Sequence, residues 1–213
     1  YRVPNGDRYF LGLIDDVRIY NRELVGAEIE DIITLGYIAS PHSPTPADGE
    51  KIDDTWKTLT WTAGPLATSH NVYFSASFDD VNAGAETAFV GNITTNSQPV
   101  GFPGFPAPDG LVPGTTYYWR IDEVNQAHPD SPWRGDVWSF TVPPIMAYNP
   151  DPADGEPAEL VNTDLHWSPG MKTIMNAVYF GTDRDQVANG VGAPPYLSTT
   201  YDPGVLTNST TYY

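Results

Sequence analysis

Apolar residues recur at every second position in several short runs. Leu59 and Trp61, and later Val72 and Phe74, alternate with polar neighbours, the period-two pattern of half-buried strands. The longest such run spans residues 115–125, with Tyr117, Trp119 and Ile121 on one face and Tyr118, Arg120 and Asp122 on the other, and predicts a central strand. Trp138, Phe140 and Val142 supply a further face after a loop containing Asn125, Pro129, Asp130 and Pro132, which predicts a hairpin. Nearer the start, residues 9–20 read as a strand in which Val17 and Ile19 alternate. A short helix is expected next, with Leu24, Ile29, Ile32 and Ile33 as its apolar stripe and Gly26 weakening its first turn by roughly 1 kcal/mol.

The pattern is written twice. Pro46-Ala47-Asp48-Gly49-Glu50 recurs as Pro152-Ala153-Asp154-Gly155-Glu156, an offset of 106 from Pro46 to Pro152. Leu59-Thr60-Trp61 and Leu165-His166-Trp167 share that offset, as do Val72-Tyr73-Phe74 and Val178-Tyr179-Phe180. From Leu111 to Tyr118 the counterpart is Leu206 to Tyr213 at an offset of 95, so the second copy is 11 residues shorter in between, at the Gly/Pro-rich segment around Gly101-Phe102-Pro103-Gly104-Phe105-Pro106. A unit of about 100 residues fits a small sandwich domain rather than a solenoid repeat. The division expected is 1–38, 39–143 and 144–213, with Ser40-Pro41-His42-Ser43-Pro44 as a short stiff link. Residue 1 is Tyr and the second copy stops early in its long strand, so a fragment of a larger protein is expected, with its N- and C-terminal domains cut.

Composition narrows the classes. Lys plus Arg is 10 against 27 Asp plus Glu, a formal charge of −17, and cysteine is absent. Disulfide scaffolds, thiolate metal sites and cysteine nucleophiles are excluded. So acidic a chain repels phosphates and anionic headgroups, which argues against nucleic acid and membrane partners, and no apolar run approaches the roughly 18 to 20 residues of a membrane span.

Certain motifs resemble known families. Leu111-Val112-Pro113-Gly114-Thr115-Thr116-Tyr117 resembles the tyrosine corner of fibronectin type III-like sandwiches, with Leu206 to Tyr212 repeating it. With Trp61, Trp167 and the strand Trp138-Ser139-Phe140-Thr141, the chain resembles the fibronectin type III-like modules of planctomycete-type exported bacterial proteins. Residues 39–143 form a complete copy and 144–213 a truncated one. Gly12-Leu13-Ile14-Asp15-Asp16-Val17-Arg18-Ile19-Tyr20-Asn21-Arg22-Glu23-Leu24 resembles the last strand and tail of a laminin G-like, concanavalin A-like jelly roll. The fold class expected is therefore all-β: tandem immunoglobulin/fibronectin type III-like sandwiches after the end of a jelly roll. The resemblance makes Leu111, Tyr117, Leu206, Tyr212, Trp61 and Trp167 structural residues. It places any calcium in the missing part of the jelly roll.

Catalytic chemistry is not expected. His42, His70, His128 and His166 are isolated, read as surface or strand residues, and no nucleophile elbow or phosphate-binding loop occurs. Asp15 and Asp16, the candidates for a metal role, point to opposite faces of their strand. Asp79-Asp80 and Asp183-Arg184-Asp185 read as solvated turns, and Arg134-Gly135-Asp136 as the entry to the last strand rather than an adhesive tripeptide. Trp133, Tyr73 and Tyr179 are the candidates for stacking a sugar ring. The expected function is a non-enzymatic piece of an extracellular or cell-surface bacterial protein, spacing or docking modules beside a lectin-like domain, without a cofactor. Two alternatives stand beside it: polysaccharide binding by the modules, and an accessory region of a carbohydrate-active enzyme or sulfatase whose catalytic domain lies elsewhere. Polysaccharide or other cell-surface proteins would be the partners.

Overall fold

The computed structural model describes residues 18–20, 22–35, 38–157, 160–190 and 193–213, and the chain divides into two compact units, Tyr1–Ile38 and Ala39–Tyr213. In the first, helix α1 (Gly26–Leu35) forms where the apolar stripe predicted one. Its N-terminus is held by Glu28, whose carboxylate accepts from the Val25 N–H at 3.0 Å and from Arg22 at 2.5 and 2.8 Å. Glu28 is buried, whereas Ile29 and Ile33 are exposed, so the reach back to Arg22 and Val25 rather than the stripe decides which side is covered. Most of the strand predicted over 9–20, Asp15 and Asp16 included, lies outside the described residues. Arg18, Ile19 and Tyr20 are not in a strand, and Ile19 is almost fully exposed, without a described strand to pair it.

In the second unit the first repeat runs β1 (His42–Thr45), β2 (Glu50–Lys51), β3 (Lys57–Thr62), β4 (Ser69–Ser75), α2 (Phe78–Ala83), β5 (Phe89–Ile93), β6 (Ser97–Val100), β7 (Thr115–Val124), β8 (Trp133–Arg134) and β9 (Trp138–Val142). One sheet has the order β1-β3-β6 and the other β2-β9-β7-β4-β5, with β8 folded back on β7. The inner faces meet in one core. Leu59 and Trp61 from β3 and Val100 from β6 pack against Val72 and Phe74 of β4, Tyr117, Trp119 and Ile121 of β7, and Trp138, Phe140 and Val142 of β9. The long run is central, pairing with β4 from Ser69↔Val124 to Ser75↔Tyr118 and with β9 on its other side. One pairing departs from an antiparallel plan: β2 runs parallel to β9, drawn there by Asp48, whose carboxylate accepts from the Ser139 N–H at 2.7 Å. The segment read as a link is part of the body, since residues 42–45 form β1 and Pro41 and Pro46 are buried.

The second repeat follows as β10 (Tyr148–Asp151), β11 (Leu165–Ser168), β12 (Asn176–Ala177), α3 (Arg184–Asn189), β13 (Pro195–Tyr196) and β14 (Thr200–Tyr201). Its pairings copy the first: Tyr148↔Ser168 and Asp151↔His166 stand where His42↔Thr62 and Thr45↔Thr60 stand, with the same irregularity between them. Gly181 and Tyr213 exchange both backbone hydrogen bonds, at 3.1 and 2.8 Å, at the place of the Ser75↔Tyr118 pair. The acidic segments read as turns are instead the first turns of α2 and α3. Ser77 caps α2 by accepting from the Asp80 N–H, and Asp183 caps α3 by accepting from the Asp185 and Gln186 N–H groups. Carboxylates favour that end of a helix because the first N–H groups are unpaired. The protein is thus mainly β, with several antiparallel sheets and few helices.

Candidate functional site

The repeated corner is built as its spacing implied. The Tyr117 hydroxyl accepts from the Val112 N–H at 2.9 Å, and the Leu111 side chain is buried beside it. Tyr212 takes the Thr207 N–H at 2.9 Å in the same way, which holds its phenol below the usual value. Phe74 lies flat on Tyr117 at 5.2 Å, and Phe180 on Tyr212 at 5.1 Å. Leu206, half-buried, donates its N–H to Val161 as Leu111 donates to Thr55. Tyr117→Phe is expected to destabilise the first repeat by about 1 kcal/mol, because the part-buried Val112 N–H loses its partner. Urea unfolding of the full chain checks this, and a change near zero would remove the corner from the account.

Trp61 is buried, edge-on to His70 at 5.3 Å, while Trp167, half-buried, donates its indole N–H to Asn176 at 3.2 Å. Asn176 occupies the position of His70 in the second repeat, so one site is filled by two different polar groups. His70 itself is almost completely buried on the inner face of β4 and pairs in a short contact with Glu123, which is wholly buried on β7 directly opposite. Neither was expected in the core. Extending the Tyr117, Trp119, Ile121 alternation by one more step would have put Glu123 there. On the outer face of β7, Arg120 is also buried, forked onto Asp122 at 2.9 and 3.0 Å and donating at 2.6 Å to the Val81 and Asn82 carbonyls of α2.

These partners decide the aromatic candidates. The Arg120 guanidinium sits over the Tyr73 ring at 4.4 Å, and Phe89 lies 5.4 Å away, so Tyr73 is a half-buried strut between β7 and β5. Trp133 is half-buried against His128 at 4.9 Å. Tyr179 is exposed and stands where Tyr73 stands in the first repeat. The three are not brought together. Arg134 donates to the Asn82 carbonyl and side chain at 2.8 and 2.6 Å, and Gly135 is buried with no room for a Cβ between Ile121 and Pro41. The Arg-Gly-Asp segment is therefore tied down along β8 rather than presented at a loop tip. Among the described residues no group of three His, Asp or Glu is placed to hold a metal ion, and no helix is long and apolar enough to cross a membrane.

A feature without a sequence signal lies where the repeats meet. Lys172 donates its Nζ to Asp54 at 2.6 Å, and its backbone N–H goes to Asp53 at 3.0 Å. Lys51 donates to the Tyr148 hydroxyl at 3.2 Å with its ammonium 5.3 Å from the ring centre. The Met171 N–H reaches the Pro144 carbonyl at 2.7 Å, and its side chain packs on the first repeat's core. Each entering chain is also pinned by a glycine. A Cβ on Gly64 would lie 2.0 Å from the Ala39 carbonyl oxygen, and one on Gly170 2.2 Å from that of Ile145. Two of the chain's 10 cationic side chains are placed at this joint.

The class defined by these features is a β-sandwich protein. No protein-family model matches the chain, and no curated protein matches it. Among solved structures it is similar to an Fn3-like protein from Clostridium thermocellum, at 20% identity over 51% of this chain and 96% of that chain, with a TM-score of 0.34. That likeness concerns the fold alone.

Proposed function

We propose that the chain is a non-catalytic part of a large extracellular or cell-surface bacterial protein, in which tandem fibronectin type III-like sandwiches, 39–143 and 144–213, hold neighbouring domains at a set distance behind the end of a laminin G-like jelly roll. The observation that carries this reading is the joint. Only residues 143–147 separate β9 from β10, and Lys172, Lys51 and Met171 reach across from one repeat to the other. A spacer needs such a joint because its reach is set by the angle between its beads.

The absence of cysteine makes the test simple. Cysteines introduced at the exposed positions Thr94 and Asp202 place one spin label in each repeat. A narrow distance distribution is expected, broadening in K51Q/K172Q with both repeats still folded. A broad distribution in the parent chain would contradict the reading. Asp54 holds the Lys172 ammonium above its ordinary value of 10.5 by hydrogen bond and charge. A raised folded-state value means that the stabilisation is complete below the ordinary lysine range and fades as pH climbs through the raised value. The distribution is therefore expected to stay narrow through neutral pH and to widen only on the alkaline side of 10.5.

A further inference from the structure

We propose that the cleft between β5, β6 and the loop 101–110 of the first repeat binds a neutral sugar ring. The cleft is open to solvent and measures about 660 Å³. Its apolar floor is Phe74, and Phe89 and Phe105 stand at its rim, 43% and 44% exposed. The loop carrying Phe105 belongs to the segment that the second repeat lacks. It is closed on itself by Gly101 N–H to Pro106 at 2.8 Å and Gly110 N–H to Ala107 at 3.0 Å, and it is seated on Thr55 and Trp56, which a Cβ on Gly101 would strike.

A polar group aimed into this space separates it from a merely apolar crevice. Gln98 lines the cleft and is 94% buried, since only 6% of it is exposed, at an inward position of β6. Its Nε2 donates to the Pro99 carbonyl at 2.9 Å, which fixes the amide's orientation and leaves Oε1 without a partner among the described residues. That oxygen is not one of the fully buried unpartnered atoms, so it keeps contact with solvent, and Gln98 is part of the cleft wall. Water meets that acceptor in the free protein, and a ligand hydroxyl can take its place. Ser75 and Thr87 add hydroxyls, and no lining residue carries a charge.

The ligand chemistry follows from those groups. A carboxylate or phosphate would find no cation in the cleft of a protein with a formal charge of −17, and an ammonium would find no carboxylate in it. A pyranose offers apolar C–H faces for the rim aromatics and hydroxyls that donate to Gln98 and exchange with Ser75 and Thr87. This inference goes beyond the spacer reading and does not rest on it.

Cellohexaose, xylohexaose and mannohexaose, titrated separately into the ¹⁵N-labelled full chain at millimolar concentration, test it. The expected result is that one of them shifts the Gln98 side-chain amide and the backbone of 104–107. Phe105→Ala, an exposed change that leaves the core intact, is expected to weaken that binding about tenfold, the size of one aromatic contact. Trp133→Ala is expected to leave it unchanged. No shift with any of the three sugars overturns the proposal, as do shifts that survive Phe105→Ala or gather around Trp133 and Tyr73. So does a result in which only an extended peptide, pairing along β5, perturbs these residues. The spin-label distances are unaffected by any of these results.

Discussion

Replacing His70 with leucine is expected to destabilise the first repeat by about 3–5 kcal/mol, because it removes the partner of a carboxylate that has no other. Glu123 is 0% exposed, with Oε2 facing the imidazole of His70 and Oε1 without a hydrogen-bond partner. Once His70 is gone, the carboxyl group is left in the interior with no hydrogen-bond partner among the described residues on either oxygen. The double variant His70→Leu/Glu123→Leu is expected to recover most of the loss, since replacing both members of a buried pair by apolar groups is often near neutral. Denaturant unfolding followed by the indole signal of Trp119 separates the cases. A single-variant loss below about 1 kcal/mol would mean that the pair is solvated like a surface pair.

The second large effect is expected from Gly64→Ala. Ala39 is fully buried, and the added Cβ would lie 2.0 Å from its carbonyl oxygen and 2.6 Å from its carbonyl carbon. These are backbone atoms, so the clash cannot be relieved by turning a side chain, and the chain entering β1 has to move. A cost of about 3 kcal/mol is expected, at the upper end for overpacking. Gly26→Ala, where the new Cβ meets nothing within 4 Å, is the control and is expected to cost nothing, with a gain of up to about 1 kcal/mol for the helix. Equal melting temperatures for Gly64→Ala and the parent would show that Ala39 is not pinned there.

Much of the first repeat was legible because strand periodicity is local. Leu59, Trp61, Val72, Phe74, Tyr117, Trp119 and Ile121 alternate cleanly, and each points inward as the alternation implies. The tyrosine corner was legible through its fixed spacing. The short helices were not: α2 and α3 have six residues each, fewer than two turns, and cannot display an apolar stripe. Their signals are the cap residues, Ser77 and Asp183, and the glycines that close them, Gly84 and Gly190. His70 with Glu123 was missed because polar residues at the end of an alternating run look like its boundary. The joint was illegible for a different reason. Lys172 and Asp53 are 119 residues apart, and no pattern within either segment points to the other. The same holds for the cleft, which exists only because the 101–110 loop folds back beside β5 and β6.

The central claim is that the two repeats move as one body, and ¹⁵N spin relaxation across residues 39–213 tests it most directly. A single rotational correlation time for the amides of β3, β4, β7 and β9 and for those of β11 and β14 is the result predicted. Two distinct times, with fast internal motion confined to residues 143–147, would contradict it.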